Sequence, residues 1–175
     1  MNDIIDKIIL NKEEIDFLNK KIAKYVNDNY ENKKPIIIGL LEGCNPFLND
    51  VLKYINIEYD LCYIKASSYL GTKSQGHVNI SNIPSVNNRD VIIFDDIIDT
   101  GNTLYQVSNK LKENNALSIK MCVLLDKYKN RIVDIQADMV GIKIDSDFVI
   151  GYGLDYNGLY RDLPYIGILK KEIYE

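Results

Sequence analysis

Three carboxylates follow a short apolar run in the middle of the chain, in residues 91–104 with the sequence VIIFDDIIDTGNTL. Asp95, Asp96 and Asp99 lie close together, and like charges at this spacing repel unless a cation, a hydroxyl group or a proton meets them. A single aspartate here could be a loop residue or a helix cap. Three of them instead indicate a ligand-binding site, whose ligand supplies sugar hydroxyls, Mg²⁺ or the proton of a base.

The segment after the last carboxylate has the composition of a phosphate-binding loop. Gly101 lets the backbone turn tightly, so that successive N–H groups and the start of the following helix can face an anion. The hydroxyl groups of Thr100 and Thr103 can donate further hydrogen bonds. Because aspartate cannot itself bind phosphate, we expect a sugar phosphate with its phosphate in this loop and its diol on Asp95 and Asp96.

These residues need a scaffold, and the sequence predicts one of alternating strands and helices. Apolar runs predict strands over 35–41, 57–66, 91–94 and 119–125 with a short returning strand over 77–80, and helical spacing predicts helices after Asn11, after Asn45 and over 104–111. Asn11 and Glu14 form the pattern of a capping box, and Asn45 followed by Pro46 is typical of a helix start. This order predicts an α/β fold with a parallel sheet. Ligands of such sheets lie at the carboxyl ends of the strands, where we expect residues 41–43, 95–103 and 126–127 to converge.

The composition predicts a single domain, residues 1–175, with 46% hydrophobic and 26% charged residues. A net charge of −4 argues against nucleic acid as a partner, since phosphate backbones attract basic surfaces. No apolar run approaches the roughly 18 residues of a membrane span, and the first residues do not resemble a secretory signal. Cys44, Cys62 and Cys122 stand singly among apolar residues, which predicts reduced thiols in a cytoplasmic protein without structural zinc.

The order of apolar strand, acidic pair, two apolar residues and Asp-Thr-Gly-x-Thr resembles the phosphoribosyl-pyrophosphate motif of type I phosphoribosyltransferases. LLEGCNPF, SSYLGT, LLDK and FVIGYGLDYNGLYRDLPYIG are similar, in the same order, to successive blocks of the hypoxanthine-guanine phosphoribosyltransferases, the purine-salvage branch of that family. The resemblance covers nearly the whole chain. It implies a central parallel sheet flanked by helices, a small hood from the N-terminal segment and about residues 150–175, and a flexible lid over about residues 67–80.

The reaction implied by the resemblance joins hypoxanthine or guanine to the 5-phosphoribosyl group of phosphoribosyl pyrophosphate, giving IMP or GMP and pyrophosphate. The residues suit this chemistry, because displacement at an anomeric carbon passes through an oxocarbenium-like state. Such a step needs a neutralised leaving group, fixed geometry and control of a base proton. The resemblance also implies Mg²⁺ as cofactor and a homodimer or homotetramer.

On the phosphoribosyl-pyrophosphate side, the resemblance places the ribose hydroxyls on Asp95 and Asp96, directly or through the metal. It makes Asp99 the acid/base at N7 of the purine. It further implies a 5′-phosphate loop of Asp99, Thr100, Gly101, Asn102 and Thr103, and pyrophosphate contacts from Leu41, Glu42, Gly43 and Arg161.

On the purine side, Lys127 corresponds to the lysine that donates to the 6-oxo group, which favours hypoxanthine and guanine over adenine. Phe148 corresponds to the ring that stacks on the base, and Val149 to the residue whose backbone reads the purine edge. Asp155 corresponds to a ligand of a second Mg²⁺.

Ser68 and Tyr69 begin the segment that the family uses as a lid, which excludes water from the oxocarbenium-like state. A stretch of this composition between two strands could also be a plain hairpin loop. We expect His77, just after it, to be a surface-strand residue.

Glu42 departs from the family pattern, which usually has lysine between Leu41 and Gly43. One interpretation is that the loop acts through backbone N–H groups of an unusual, cis peptide, which makes the side chain expendable. The other is that pyrophosphate binding, or coupling across a subunit interface, is altered.

Other functions fit the motif less well. A phosphatase of the haloacid dehalogenase kind needs aspartates at positions i and i+2, where this chain has Ile97 after Asp95. A receiver-like phosphoacceptor domain carries its acidic pair near the start of the chain. Two alternatives stay open, a xanthine-preferring sister enzyme and a non-catalytic regulator that senses phosphoribosyl pyrophosphate. The acidic charge and the presence of Asp99 argue against the regulator.

Overall fold

The computed structural model describes residues 4–68 and 78–174 of the chain. Along the chain these residues form β1 (Ile5–Leu10), α1 (Lys12–Tyr30), β2 (Ile36–Leu41), α2 (Asn45–Leu52), β3 (Asp60–Ser68), β4 (Val78–Ser81), β5 (Asp90–Ile98), α3 (Asn102–Glu113), β6 (Ser118–Asp126), a 3-10 turn (Tyr128–Asn130), β7 (Met139–Lys143), β8 (Val149–Ile150), β9 (Ile166–Leu169) and α4 (Lys171–Tyr174).

The main sheet has six strands in the order β4-β3-β2-β5-β6-β7. All neighbours are parallel except β4, which runs antiparallel to β3. Successive strand residues alternate between two cores. Ile37, Ile92 and Phe94 pack on the face covered by α1 and α2, whereas Ile38 and Ile93 pack on the face covered by α3. Burial on both faces explains the continuous apolar runs of the sequence, and the predicted α/β fold is confirmed.

The start of α1 is as predicted. The N–H of Glu14 donates to Oδ1 of Asn11 at 2.9 Å, and the N–H of Asn11 donates to Oε2 of Glu14 at 2.8 Å, which completes the capping box. The start of α2 differs in one respect, since its N-cap is Cys44 rather than Asn45. The backbone of Cys44 is already helical, and its side chain is fully buried. The side chain therefore packs in the core and does not cap the helix.

In the main sheet, three strands differ from the sequence prediction by more than a residue or two at one end. Strand β3 begins at Asp60 and not at residue 57, and β5 extends to Ile98 instead of ending at Phe94. Strand β7 (Met139–Lys143) was not predicted, and none of its residues is fully buried.

A small antiparallel sheet of order β1-β9-β8 joins the N-terminal segment to residues 149–169. This sheet is the hood that the resemblance implied. Ser68 is the last residue of β3, whereas Tyr69, His77 and most of the predicted lid lie outside the described residues. No helix in residues 4–68 or 78–174 is both long and apolar enough to span a membrane. The three cysteines are free thiols, as predicted.

Candidate active site

The candidate site lies where β2 and β5 separate at the carboxyl end of the sheet. The register of β2 and β5 ends at Gly39 and Phe94, whereas β5 stays paired with β6 as far as Ile98. The sequence prediction, which placed Asp95 and Asp96 in a loop, was therefore wrong, since both belong to the strand. Beyond Phe94, β5 is paired with β6 but not with β2, which leaves a gap beside the two carboxylates. The pairing with β6 fixes the backbone of Asp95 and Asp96.

A cavity of about 400 Å³ lies at this gap, a size suited to a small ligand. The predicted site residues that line it are Leu41, Gly43, Asp95, Asp96, Asp99, Thr100, Gly101, Thr103, Lys127, Phe148, Val149, Asp155 and Arg161. Glu42 and Asn102 were also predicted for the site, but neither is among the described residues that line the cavity. The structure thus brings together the strand ends, the start of α3 and the hood, as the position of the motifs predicted.

The acidic pair is held by its own backbone. The N–H of Asp96 donates to Oδ1 of Asp95 at 3.1 Å, and the N–H of Ile97 donates to Oδ1 of Asp96 at 2.9 Å. Burial raises the pKa of both carboxyls, and the adjacent charge of Asp96 raises the pKa of Asp95 further. A Cβ atom added at Gly43 would lie 2.0 Å from Oδ2 of Asp96. The loop after β2 can therefore approach the pair only because this residue is glycine.

The predicted phosphate loop turns at Gly101, the N-cap of α3, whose φ of +84° favours glycine. The guanidinium of Arg131 donates to the carbonyl of Asp99 and also pairs with the carboxylate of Asp126. The N–H of Ile132 donates to the carbonyl of Thr100 at 3.0 Å. In a trans peptide the N–H points opposite to the C=O. The N–H groups of residues 100 and 101 therefore point away from this backing segment, as an anion-binding loop requires.

Asp99 and Lys127 meet inside the cavity. The Nζ atom of Lys127 lies 3.5 Å from Oδ2 of Asp99, and the side-chain amide of Asn130 donates to Oδ1 of Asp99 at 2.8 Å. Lys127 is only 7% exposed, which rules out an ordinary surface lysine, and its N–H donates to the carbonyl of Ile98 at 2.9 Å. Its Nζ also lies 5.8 Å from the ring centroid of Phe148, within the range of a cation–π contact.

The hood supplies the aromatic side of the cavity. Phe148 packs edge-on against Tyr156, with ring centroids 5.5 Å apart, and at 5.3 Å against Tyr174. Val149 is 5% exposed and begins β8. These contacts hold the ring of Phe148 from two sides and leave it on the cavity wall.

Asp155 and Arg161 form an ion pair at the cavity, with 2.7 Å between Oδ1 and a guanidinium nitrogen. The N–H of Gly158 donates to the other oxygen of Asp155 at 2.7 Å, and Arg161 also donates to the carbonyl of Gly153. A Cβ atom at Gly153 would lie 2.1 Å from the carbonyl oxygen of Gly43. This close backbone approach connects the hood segment to the loop after β2.

Glu42 has its side chain at the rim rather than in the cavity. The Leu41–Glu42 peptide bond is cis, a feature that one of the two interpretations of this departure included. The carboxylate of Glu42 is 62% exposed, and its Oε1 atom lies 3.7 Å from Nζ of Lys65.

No role was predicted for Asp126, Asn130 or Arg131. Asn130 donates to the carboxylate of Asp99, Arg131 donates to its backbone carbonyl, and Asp126 pairs with Arg131. The available signal was weak. Polar residues just after a strand end are common, and only the fold shows that this segment packs behind the phosphate loop.

The donor set suits Mg²⁺. Within residues 4–68 and 78–174 no group of three or more acidic, histidine or cysteine side chains is arranged as a metal cage. Magnesium usually binds one or two carboxylates and completes its shell with substrate phosphates and water. Asp155 and the crowded pair Asp95 and Asp96 provide such carboxylates. Burial raises the pKa of both members of the pair, because their negative charge is costly there unless a cation meets it.

Comparisons with known proteins agree with this geometry. Residues 7–157 match the family described as the phosphoribosyl transferase domain. The bifunctional protein TilS/HprT of Listeria monocytogenes is 41% identical over 177 residues, which cover 99% of this chain and 27% of that protein. The chain thus spans about a quarter of the length of such relatives. The hypoxanthine-guanine phosphoribosyltransferase of Streptococcus pneumoniae is also 41% identical, over 99% of this chain and 97% of that protein.

Solved structures give the same result. A hypoxanthine phosphoribosyltransferase from Staphylococcus aureus superimposes with a TM-score of 0.94 at 38% identity, covering 100% of this chain and 97% of that one. A hypoxanthine phosphoribosyl transferase from Trypanosoma cruzi gives a TM-score of 0.93 at 33% identity, covering 99% and 96% of the two chains. The chain therefore belongs to the phosphoribosyltransferase family, within its hypoxanthine-guanine branch.

Proposed function

We propose that this protein transfers the 5-phosphoribosyl group of phosphoribosyl pyrophosphate to N9 of hypoxanthine and guanine, releasing pyrophosphate and forming IMP or GMP. The observation that carries the proposal is the pair of Lys127 and Asp99 beside the ring of Phe148. This pair shares one cavity with the acidic pair and the phosphate loop. Purine recognition and ribose-phosphate binding thus occupy one site.

The pair matches the edge of a 6-oxopurine. Such a base presents its 6-oxo oxygen and N7 side by side. Lys127 donates to the 6-oxo oxygen, and Asp99, on the same side, accepts the proton of N7–H. Phe148 stacks on the face of the base, and the backbone of Val149 meets its other edge. Adenine has an amino donor at position 6, so the ammonium group of Lys127 would face another donor.

The transfer breaks the bond between C1′ and the pyrophosphate oxygen and forms the bond between C1′ and N9. The pyrophosphate leaves with the electron pair, and the proton of the base moves from N7 to Asp99. Asp95 and Asp96 bind the ribose hydroxyls, and the N–H groups of residues 99–103 bind the 5′-phosphate. The backbone of residues 41–43 and the guanidinium of Arg161 bind the pyrophosphate.

Asp155, and Asp95 and Asp96 together with the ribose hydroxyls, would hold Mg²⁺, which would supply positive charge to the leaving pyrophosphate. The Asp155–Arg161 ion pair keeps the carboxylate partnered until ligands arrive. A lid over residues 67–80 beginning at Ser68 and Tyr69, a homodimer or homotetramer, and a cytoplasmic location belong to the proposal as well. Sedimentation analysis of the purified protein tests the oligomeric state.

Nucleotide formation from phosphoribosyl pyrophosphate and Mg²⁺ tests the activity, with hypoxanthine, guanine, xanthine and adenine supplied separately. We expect turnover of hypoxanthine and guanine, and a decrease of about 10²- to 10⁴-fold in Asp99→Asn. Asp134→Asn, at an exposed aspartate, is the matched control and should keep full activity. Turnover of xanthine above the other bases would reassign the substrate. Tight binding of phosphoribosyl pyrophosphate without turnover of any base would instead favour the regulator.

A further inference from the structure

We propose that Asn130 is a positioning residue for Asp99, and that it holds one carboxylate oxygen so that the other is presented to the purine. The inference rests on the proposed function, because it concerns how the acid/base group of that reaction is oriented. Asn130 donates to the carboxylate of Asp99 and is not among the described residues that line the cavity, so it acts through Asp99.

The amide of Asn130 is fixed from both ends. Its nitrogen donates to Oδ1 of Asp99 at 2.8 Å, and its oxygen accepts a hydrogen bond from the hydroxyl of Ser146 at 2.8 Å. Since a carboxylate only accepts and the hydroxyl can donate, this arrangement assigns the two ends of the amide. The N–H of Asn130 also donates to the carbonyl of Lys127 at 3.0 Å. The two residues that approach Asp99 therefore belong to one turn.

This geometry makes the two oxygens of Asp99 different. Oδ1 is occupied by Asn130, whereas Oδ2 lies 3.5 Å from Nζ of Lys127. The oxygen beside the lysine is the one in position to accept the N7 proton while the lysine meets the 6-oxo oxygen. The side chain of Asp99 is 43% exposed, so packing alone does not fix its rotation about the Cβ–Cγ bond. The hydrogen bond from Asn130 supplies that restraint.

Asn130 and its neighbour Arg131 support different parts of the same residue. Arg131 donates to the backbone carbonyl of Asp99 and pairs with Asp126, so it stabilises the loop that binds the 5′-phosphate. Asn130 contacts only the carboxylate among the atoms of Asp99. Loss of Asn130 should therefore lower kcat, whereas loss of Arg131 should raise KM for phosphoribosyl pyrophosphate.

Asn130→Asp keeps the shape of the side chain, replaces the donor by an acceptor and adds a negative charge that repels the carboxylate of Asp99. We expect kcat for IMP formation to fall on the order of 10- to 100-fold, with KM for phosphoribosyl pyrophosphate changed by no more than about twofold. Ser146→Ala, at an exposed position, removes only the hydrogen bond that orients the amide and should lower kcat about threefold. Asn29→Ala removes another side-chain amide that donates to a backbone carbonyl, at an exposed position of α1, and should leave kcat and KM unchanged.

Thermal melting distinguishes a variant in which the carboxylate of Asp99 has lost its orientation from a variant that has misfolded. If Asn130→Asp melts early, Ser146→Ala decides the question, since the exposed serine is not needed for folding. Full kcat in Ser146→Ala and Asn130→Asp, with active wild-type protein, would overturn the role of Asn130 and leave the proposed function intact. A rise in KM for phosphoribosyl pyrophosphate without a loss of kcat would also overturn the role of Asn130, because that result would indicate an effect on the loop that binds the 5′-phosphate. If the wild-type protein turns over no base, both the role of Asn130 and the proposed function are wrong.

Discussion

The ammonium group of Lys127 lies 3.5 Å from Oδ2 of Asp99, at the end of two neighbouring parallel strands, β6 and β5. Lys127 is 9% exposed at its side chain and Asp99 is 43% exposed. The lysine is therefore held by the protein, while the carboxylate faces the cavity. A donor and an acceptor thus stand side by side, as the proposed recognition of a 6-oxopurine requires.

Replacement of Lys127 should change base selectivity more than binding of phosphoribosyl pyrophosphate. Lys127→Ala removes the charged donor to the 6-oxo group, and such hydrogen bonds contribute about 1.5–3 kcal/mol. We expect kcat/KM for hypoxanthine and guanine to fall by about 10- to 100-fold, whereas kcat/KM for adenine should not fall. Steady-state kinetics with each base measures the change. Lys129→Ala, at an exposed lysine two residues away that pairs with Asp145, is the matched control.

An additional Cβ atom at Gly43 should disable the acidic pair without unfolding the sheet. In Gly43→Ala the methyl group would lie 2.0 Å from Oδ2 of Asp96, so either the loop or the carboxylate must shift. We expect a rise in KM for phosphoribosyl pyrophosphate on the order of 10-fold or more. Gly158→Asn provides the comparison, because open space surrounds that glycine and asparagine tolerates its φ of +78°. Unchanged kinetics in Gly43→Ala would show that the loop is not held against Asp96.

The pKa of Asp95 predicts how the metal-free protein responds to pH. Burial and the neighbouring charge of Asp96 raise this pKa above its ordinary value of 3.8. Between the two values the folded protein binds more protons than the unfolded chain, so the free energy of unfolding falls as pH rises through that window. Asp95→Asn should remove this contribution. In EDTA, urea unfolding should find the variant more stable than wild type near pH 8, with a smaller difference near pH 4. A difference that is constant with pH would contradict the raised pKa.

Asp99, the buried Lys127 and the predicted phosphate loop could be located from the sequence, because each follows an apolar run and strand ends meet at one edge of a parallel sheet. The length of β5 could not be predicted in this way. Asp95 and Asp96 interrupt the apolar run, and the strand continues only because β6 offers backbone partners, which a local pattern does not reveal. Asn130 and Arg131 could not be predicted from a local pattern either, because their contacts with Asp99 depend on how residues 127–132 pack behind the loop.

Removing the charges of Glu42 and Lys65 at the rim can distinguish the two interpretations of Glu42. Its carboxylate lies 3.7 Å from Nζ of Lys65 on the neighbouring strand, and both groups are more than half exposed. Such pairs contribute less than about 1 kcal/mol. If the side chain is expendable, Glu42→Gln and Lys65→Ala should each leave KM for phosphoribosyl pyrophosphate unchanged. If the charge matters, Glu42→Gln should lower this KM about two- to fivefold and Lys65→Ala should raise it, with the effects coupled in the double variant.

Tyr152 should contribute more to stability than other tyrosines with similar hydrogen bonds. Its hydroxyl donates to Oδ2 of Asp50 at 2.7 Å and accepts from the side-chain amide of Asn19 at 2.9 Å, which fastens the hood segment to α2 and α1. Burial raises the pKa of this hydroxyl. Tyr152→Phe leaves the buried amide of Asn19, which is 1% exposed, without this partner. We expect a loss of about 1–3 kcal/mol in the free energy of unfolding, measured in urea. Tyr54→Phe removes a hydrogen bond to Asp16 at a more exposed site and should cost less. Equal losses in the two variants would mean that the buried network adds nothing beyond an ordinary surface hydrogen bond.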